Sequence, residues 1–336
     1  MTSYHLPKNS YLSFRCLPVM SLLSDVQRGN HSDTPVFILL GFSGHQYLKM
    51  SLFVLFFIMY ILALLGNFSI VVLVRSHPQL HTPMYFFLCN LSFLEIWYTT
   101  ACVPKALAVL SGGDPTISFE NCLLQMYFVF SLGCTEYFLL AAMAYDRCLA
   151  ICFPLHYNSI MNCTLLIQLV FGSWFCGFLS ITIPTYMIST LSFCGSNVIN
   201  HFFCDIAPWI VLSCTDTSLV ELAAFIISFI VILGSCTITL VSYIYIISTI
   251  LRIPSAIDQQ RAFSTCSSHL IVVIIWYGST IFLHVKPSIK DSLDLTKTVH
   301  VLNTIVTPLL NPFIYSLRNK EVKKALKRTV QFKAWA

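Results

Sequence analysis

The chain has 336 residues, of which 57% are hydrophobic and 10% charged, and its formal net charge is +5. An ordinary soluble domain carries about 25% charged residues, so a chain this apolar could not cover a water-facing surface. Intrinsic disorder is excluded too, since it needs low hydrophobicity and high charge. What remains is a protein whose solvent is largely lipid, with length for several spans and none for a large soluble domain besides.

A membrane helix needs roughly 20 mostly apolar residues. In chain order, residues 50–74 contain no Asp, Glu, Lys or Arg; 84–104 contain only the acid Glu95; 121–145 contain only Glu136. Residues 148–204 carry no such charge at all, and their best span is 163–185; the runs 222–251, 262–285 and 298–317 complete the set. Seven continuous runs predict an all-α membrane protein, a seven-transmembrane helix bundle, and the lack of apolar/polar alternation excludes a β-barrel. The expected organisation is an outer N-terminus over 1–49, the bundle over 50–317 and a tail over 318–336.

Lys and Arg set the orientation. One side collects Arg75, Arg147, Arg252, Arg261 and the tail residues Arg318, Lys320, Lys323, Lys324, Lys327, Arg328 and Lys333. With Asp146, Asp258 and Glu321 that side stands at +8, and the other at −1. The reading is a multi-pass plasma-membrane protein with its N-terminus outside and C-terminus in the cytoplasm. The positive excess therefore faces anionic lipid and cytosolic partners rather than nucleic acid. No cleavable leader is expected, because Val36-Phe37-Ile38-Leu39-Leu40 is too short for its apolar core, and the first span acts as the insertion signal.

Four Asn-x-Ser/Thr triplets occur, at Asn30, Asn67, Asn90 and Asn162. Only Asn30 is outside the spans on the outer side, which makes it the expected glycosylation site. Outer cysteines can form disulfides: Cys122 opens the third span, and Cys194, Cys204 and Cys214 occupy the long loop after the fourth. Four cysteines allow three pairings, and their positions leave all three open. Small apolar packing accounts for the nine other span or cytosolic cysteines.

Five strings fall in order on these spans: Gly66-Asn67; Pro83-Met84-Tyr85-Phe86; Met143-Ala144-Tyr145-Asp146-Arg147-Cys148; Arg261 through Ser268-His269; and Pro308-Leu309-Leu310-Asn311-Pro312-Phe313-Ile314-Tyr315. From about Thr34 to Val330 the chain resembles the olfactory receptors, within the rhodopsin-like G-protein-coupled receptors. For such a family the N-terminus is long, and Met20 is a second candidate start. The resemblance implies the pairings Cys122–Cys204 and Cys194–Cys214. One departure is Glu95, where the family has aspartate; the carboxylate is kept, one methylene longer.

The resemblance also implies a switch. Arg147, at the cytoplasmic mouth of a bundle, needs an anionic partner, and Asp146 supplies one; in similar receptors release of this arginine toward the G protein marks activation. Asn311-Pro312 breaks the seventh helix from within, with Tyr315 one turn on and Tyr243 of the fifth span as its expected partner. Glu95 and Glu136 are the only acids deep in the spans, and such acids default to functional hypotheses. They are expected to face each other with Asn67 and Asn311 and to hold a sodium ion or share a proton; no other cofactor is expected.

The ligand pocket is expected in the outer half. Its candidate lining is Met126, Val129, Phe130, Gly133 and Cys134 of the third span, Ile227 and Val231 of the fifth, Tyr277, Thr280, Ile281 and His284 of the sixth, and Thr304 of the seventh. That lining, apolar with a few hydroxyls and one imidazole, suits a small neutral molecule. Val129 stands where amine-binding relatives place an aspartate, and Lys297 lies at the outer edge of the seventh span rather than mid-span, which disfavours a retinal Schiff base. His201-Phe202-Phe203-Cys204-Asp205 resembles a metal-binding pattern, but the disulfide claims Cys204, so no metal is expected. Beyond Leu317, Val322, Ala325, Leu326, Thr329 and Val330 recur at helical spacing opposite Lys323, Lys324, Lys327 and Arg328, which predicts an amphipathic helix on the inner leaflet.

The expected function is thus an odorant receptor: a small neutral odorant activates a stimulatory, olfactory-type G protein and raises cyclic AMP. A transporter would want internal repeats and interrupted helices, and a channel a polar pore lining; one of these is the alternative. No catalytic motif is present, so no enzyme is expected.

Overall fold

The structure, a computed structural model, describes residues 36–42, 44–285, 293–318 and 322–325, with the side chains of 265, 284–285, 293–294 and 316–318 outside that description. The chain divides at Pro35 into two units. The first, 1–35, with Asn30 and Met20, lies outside the described residues, as do Leu326, Thr329 and Val330.

In hydrocarbon every backbone N–H and C=O must be satisfied within the chain, which leaves helices for the apolar runs. Six long helices follow: α1 Gln46–Ser76, α2 Pro83–Leu110, α3 Phe119–Cys152, α4 Cys163–Ser189, α5 Ser218–Leu251 and α6 Ala256–Val285. Each has a stretch long and apolar enough to cross a membrane. The seventh, α7, is composite: Leu293–Val301, a π-helical turn over Leu302–Val306, and Thr307–Arg318. Pro308 explains the break, since without an N–H it leaves the Thr304 carbonyl no regular i→i−4 donor, and the chain widens just before it.

Sequence sets several helix starts. Pro83 opens α2 at the position where its missing N–H costs nothing. Ser118 Oγ accepts from Asn121 N to cap α3, and Asn162 Oδ1 accepts from Leu165 N at 2.9 Å to cap α4. The remaining triplets also have structural work: Asn90 Oδ1 accepts from Trp174 Nε1 across α2 and α4, and Asn67 is buried.

The third helix is the axis of the bundle. Of its most apolar stretch 72% is buried, against 17% for α5, which turns most of its surface to lipid. It packs on α2, α4, α5 and α6. Gly177 of α4 allows the close approach, since a Cβ there would lie 2.7 Å from the Thr135 backbone nitrogen.

Over the outer end lies a small three-stranded sheet. β1 (Val36–Leu39) runs between β2 (Thr116–Ser118), antiparallel to it, and β3 (Val198–Ile199), parallel to it. The apolar run 36–40, too short for a leader, is the central strand of this lid. Two disulfides brace it, Cys122–Cys204 and Cys194–Cys214, with Cα atoms 5.5 and 6.0 Å apart. Phe37, Leu39, Ile199 and Trp209 form its apolar underside together with Met126 of α3. In the tail the described residues 322–325 are helical, with Val322 and Ala325 buried and Lys323 and Lys324 exposed.

Candidate functional site

Mid-bundle, the site begins with a proline. Pro312 has no N–H, so the carbonyl of Pro308, four residues earlier, loses its helical donor. Asn67 of α1 replaces it, with Nδ2 donating to Pro308 O and to Ala63 O, each at 3.0 Å. Beside it Gly66 gives the Pro312 ring room, since a Cβ there would sit 3.1 Å from the ring carbons. Asn311, next in α7, donates to the Glu95 carboxyl of α2, and Glu136 of α3 lies close enough to Glu95 to interact electrostatically. All four side chains are buried. Asn67 Oδ1, Asn311 Oδ1, Glu95 Oε2 and both Glu136 carboxyl oxygens have no hydrogen-bond partner among the described residues. Orphaned buried oxygens call for an explanation, and this oxygen-only set suits a small hard cation or a shared proton.

At the inner end of α3, Arg147 Nε donates to the buried Asp146 Oδ2 at 2.9 Å, and a second guanidinium nitrogen reaches the same oxygen. The other carboxyl oxygen accepts from Tyr157 Oη at 2.7 Å. Burial, followed by that hydrogen bond, holds the Tyr157 phenol well above its usual range, so it remains a donor. Tyr243 Oη lies 2.8 Å from His269 Nδ1, while the Tyr315 hydroxyl, also buried, has no partner among the described residues. Tyr243 sits in an apolar joint with Ala144, Cys148, Ile246, Ile250 and Cys266, where α3, α5 and α6 meet.

In the outer half, Tyr137 of α3 donates to Thr280 of α6 and lies tilted against Trp276 and edge-on to Tyr277, with ring centroids 5.5 and 5.3 Å away. Ser279 Oγ donates to Asn303 Oδ1 at 2.6 Å, joining α6 to α7. Above, His201 of the outer loop faces His300 of α7 at 5.0 Å between ring centroids. One donor atom each from His201, Asp205 and His300 lies within 4.8 Å of the others. Burial pushes His201 down to about 4, so it is neutral at pH 7 and able to ligate. The third donor is thus an imidazole from α7, and Cys204 is in its disulfide.

A family model described as olfactory receptor matches residues 56–333. The chain is 70% identical to human olfactory receptor 6F1 over 89% of its own length and 97% of that protein's, and 66% identical to rat olfactory receptor 287 over 91% and 98%.

The chain belongs to the olfactory receptor family.

Its fold is that of squid rhodopsin at a TM-score of 0.69 and 15% identity, covering 87% of each chain. This olfactory receptor is therefore a multi-pass membrane protein of the G-protein-coupled type and not an enzyme.

The receptor's expected pocket residues divide on inspection. Val129, Val231, Tyr277 and Thr304 are buried in the bundle core, and Cys134 and Ile227 pack partly buried against it. Phe130 touches both this core and the lid cluster, whereas Met126 belongs to the lid cluster alone. Gly133 has open space where a Cβ would be. Ile281 is a correction: it is 48% exposed, on the α6 face shared with Ile271 and Ile274, and so points to lipid. Helical spacing put it one residue after Thr280, a rotation of about 100° that carries it out of the bundle. The His284 side chain lies outside the described residues. Tyr243 bonds His269 rather than Tyr315 in this structure.

The sequence gives no prominence to Tyr137, Trp276, Asn303 and His300, which the structure brings into these contacts. For Tyr137 a signal existed, since it continues the series 126, 130, 133 by one more helical step. For His300 there was none, because only the fold brings α7 to the outer loop.

Proposed function

We propose that a small neutral odorant, seated in the outer half among Val129, Phe130, Gly133, Cys134, Val231, Tyr277, Thr280 and Thr304, activates a stimulatory, olfactory-type G protein and raises cyclic AMP. One observation carries this reading. Of the six long helices α3 is the most buried, and it bears the candidate pocket on its outer half and the Asp146–Arg147 pair at its inner end. A ligand that favours an open inner face shifts an existing equilibrium. The inner end of α6, near Arg261–His269, moves outward, Arg147 leaves Asp146, and Tyr315 turns inward toward Tyr243. The N-terminus lies outside with a glycan on Asn30, and the C-terminal tail lies on the cytoplasmic leaflet of the plasma membrane.

The reading extends to the mid-bundle oxygens. Glu95, Glu136, Asn67 and Asn311 hold a sodium ion or a shared proton when the receptor is inactive, which answers the electrostatic cost of two buried carboxyls. Glu136→Gln is expected to abolish any sodium dependence of signalling, measured as dose–response curves in sodium and in choline medium. An unchanged sodium effect would count against the site.

The direct test is an odorant panel on cells expressing the receptor with an olfactory-type stimulatory G protein and a cyclic AMP reporter. Arg147→Ala is expected to silence the response at normal surface expression. Signalling retained by that variant, or ligand-driven current without the G protein, would overturn the assignment.

A further inference from the structure

A groove of about 750 Å³ opens at the inner ends of α1, α2 and α4, at the same end of the bundle as Asp146 and Arg147 and away from the proposed odorant pocket. Its volume is that of a ligand cavity. Val71, Phe86, Phe93 and Leu166 give it apolar walls, and Phe86 and Phe93 are themselves exposed at the lipid-facing surface. Arg75 and His81 stand in its lining as the polar rim.

Arg75 is the unusual member. It is exposed at the last turn of α1, and its guanidinium reaches the thiol of Cys89 inside the groove. Among the described residues no carboxylate pairs with it. A guanidinium matches a phosphate in geometry and charge, and basic pockets between membrane helices on the cytoplasmic side take anionic headgroups. Apolar walls open to the bilayer, below the Arg75 guanidinium, fit a molecule that is charged at one end and hydrocarbon beyond it.

We propose that this groove binds an anionic phospholipid of the inner leaflet, with its phosphate on Arg75 beside His81 and an acyl chain along Val71, Phe86, Phe93 and Leu166. The leaflet assignment rests on the orientation proposed above. A sterol would fill the walls but leave the guanidinium unanswered, and free phosphate would leave the walls empty. A lipid held there bridges α1, α2 and α4 and braces the half of the bundle that does not swing open.

The test is native mass spectrometry of the full-length receptor released from nanodiscs of phosphatidylcholine with phosphatidylserine. The expected result is retention of phosphatidylserine over phosphatidylcholine. Arg75→Gln should lower that retention roughly tenfold, the worth of one charge-assisted hydrogen bond, and Arg75→Lys should restore part of it. Because Arg75 is exposed, the substitutions spare the core. Equal retention of the two lipids, no change in Arg75→Gln, or displacement of the lipid by cholesterol would each overturn the proposal. Nanodiscs present both leaflets, so these outcomes judge the groove alone. A wrong orientation would show separately, as an Asn30 glycan that fails to form in cells.

Discussion

Asn67 shows how one side chain can be both structural and functional. Its amide nitrogen donates to the carbonyl that Pro312 leaves free, and its oxygen is buried without a hydrogen-bond partner among the described residues. Asn67→Ala removes the donor and strands Pro308 O in a dry core, at a cost of about 1–3 kcal/mol. The expected outcome is a lower thermal-unfolding midpoint of the purified receptor. An unchanged midpoint for Asn67→Ala would show that the α7 carbonyl finds another partner. At this scale the sequence was informative, because intramembrane acids and a proline inside a span are both expensive and therefore stand out. It was uninformative about Tyr137, whose importance lies in the hydroxyl it meets on another helix.

Between elements, close approach is decided by what is absent from a side chain. α4 lies against α3 through Gly177, where a Cβ would fall 2.1 Å from Thr135 Oγ1 and 2.7 Å from the Thr135 nitrogen. A hydroxyl can rotate away but backbone cannot, so Gly177→Ala must push the helices apart. Overpacking of this kind costs about 1–3 kcal/mol, and the measurable outcome is reduced surface expression with a lowered unfolding midpoint. Gly172, five residues earlier on the same helix with nothing within 4 Å of a Cβ, should accept alanine without loss. The same logic explains Ile281: periodicity identifies a helix but leaves its rotation to be set by packing, and neighbouring positions on α6 face opposite media.

For the whole molecule, the outer lid gathers parts that are far apart in the chain. Lys297 of α7, almost wholly buried, donates at 2.8 Å to Gly41 O just after β1 and at 2.8 Å to Asn200 Oδ1 of the long outer loop. One ammonium thereby ties the N-terminal strand, the disulfide-braced loop and α7 above the candidate pocket. Lys297→Met keeps the length and removes the donors. It is expected to speed amide hydrogen exchange over residues 36–41 and to lower the odorant response. Equal exchange in Lys297→Met and the parent protein would deny the tie.

The amino-acid sequence by itself determined seven helices, because lipid admits no other use for seven long apolar runs, and it determined where charge could stand, because each buried charge must be answered. Its motifs placed Asp146, Arg147, Asn311 and Pro312 on the right helices and marked Glu95 and Glu136 before any fold was known. The tertiary structure decided what those residues touch. It set the rotation that sends Thr280 inward and Ile281 to lipid, the π-helical turn within α7, the sheet that turns residues 36–39 into a lid strand, and the meeting of His201 with His300. Each of these depends on contacts between segments up to hundreds of residues apart, and a pattern read along one segment carries no information about the surface it will meet.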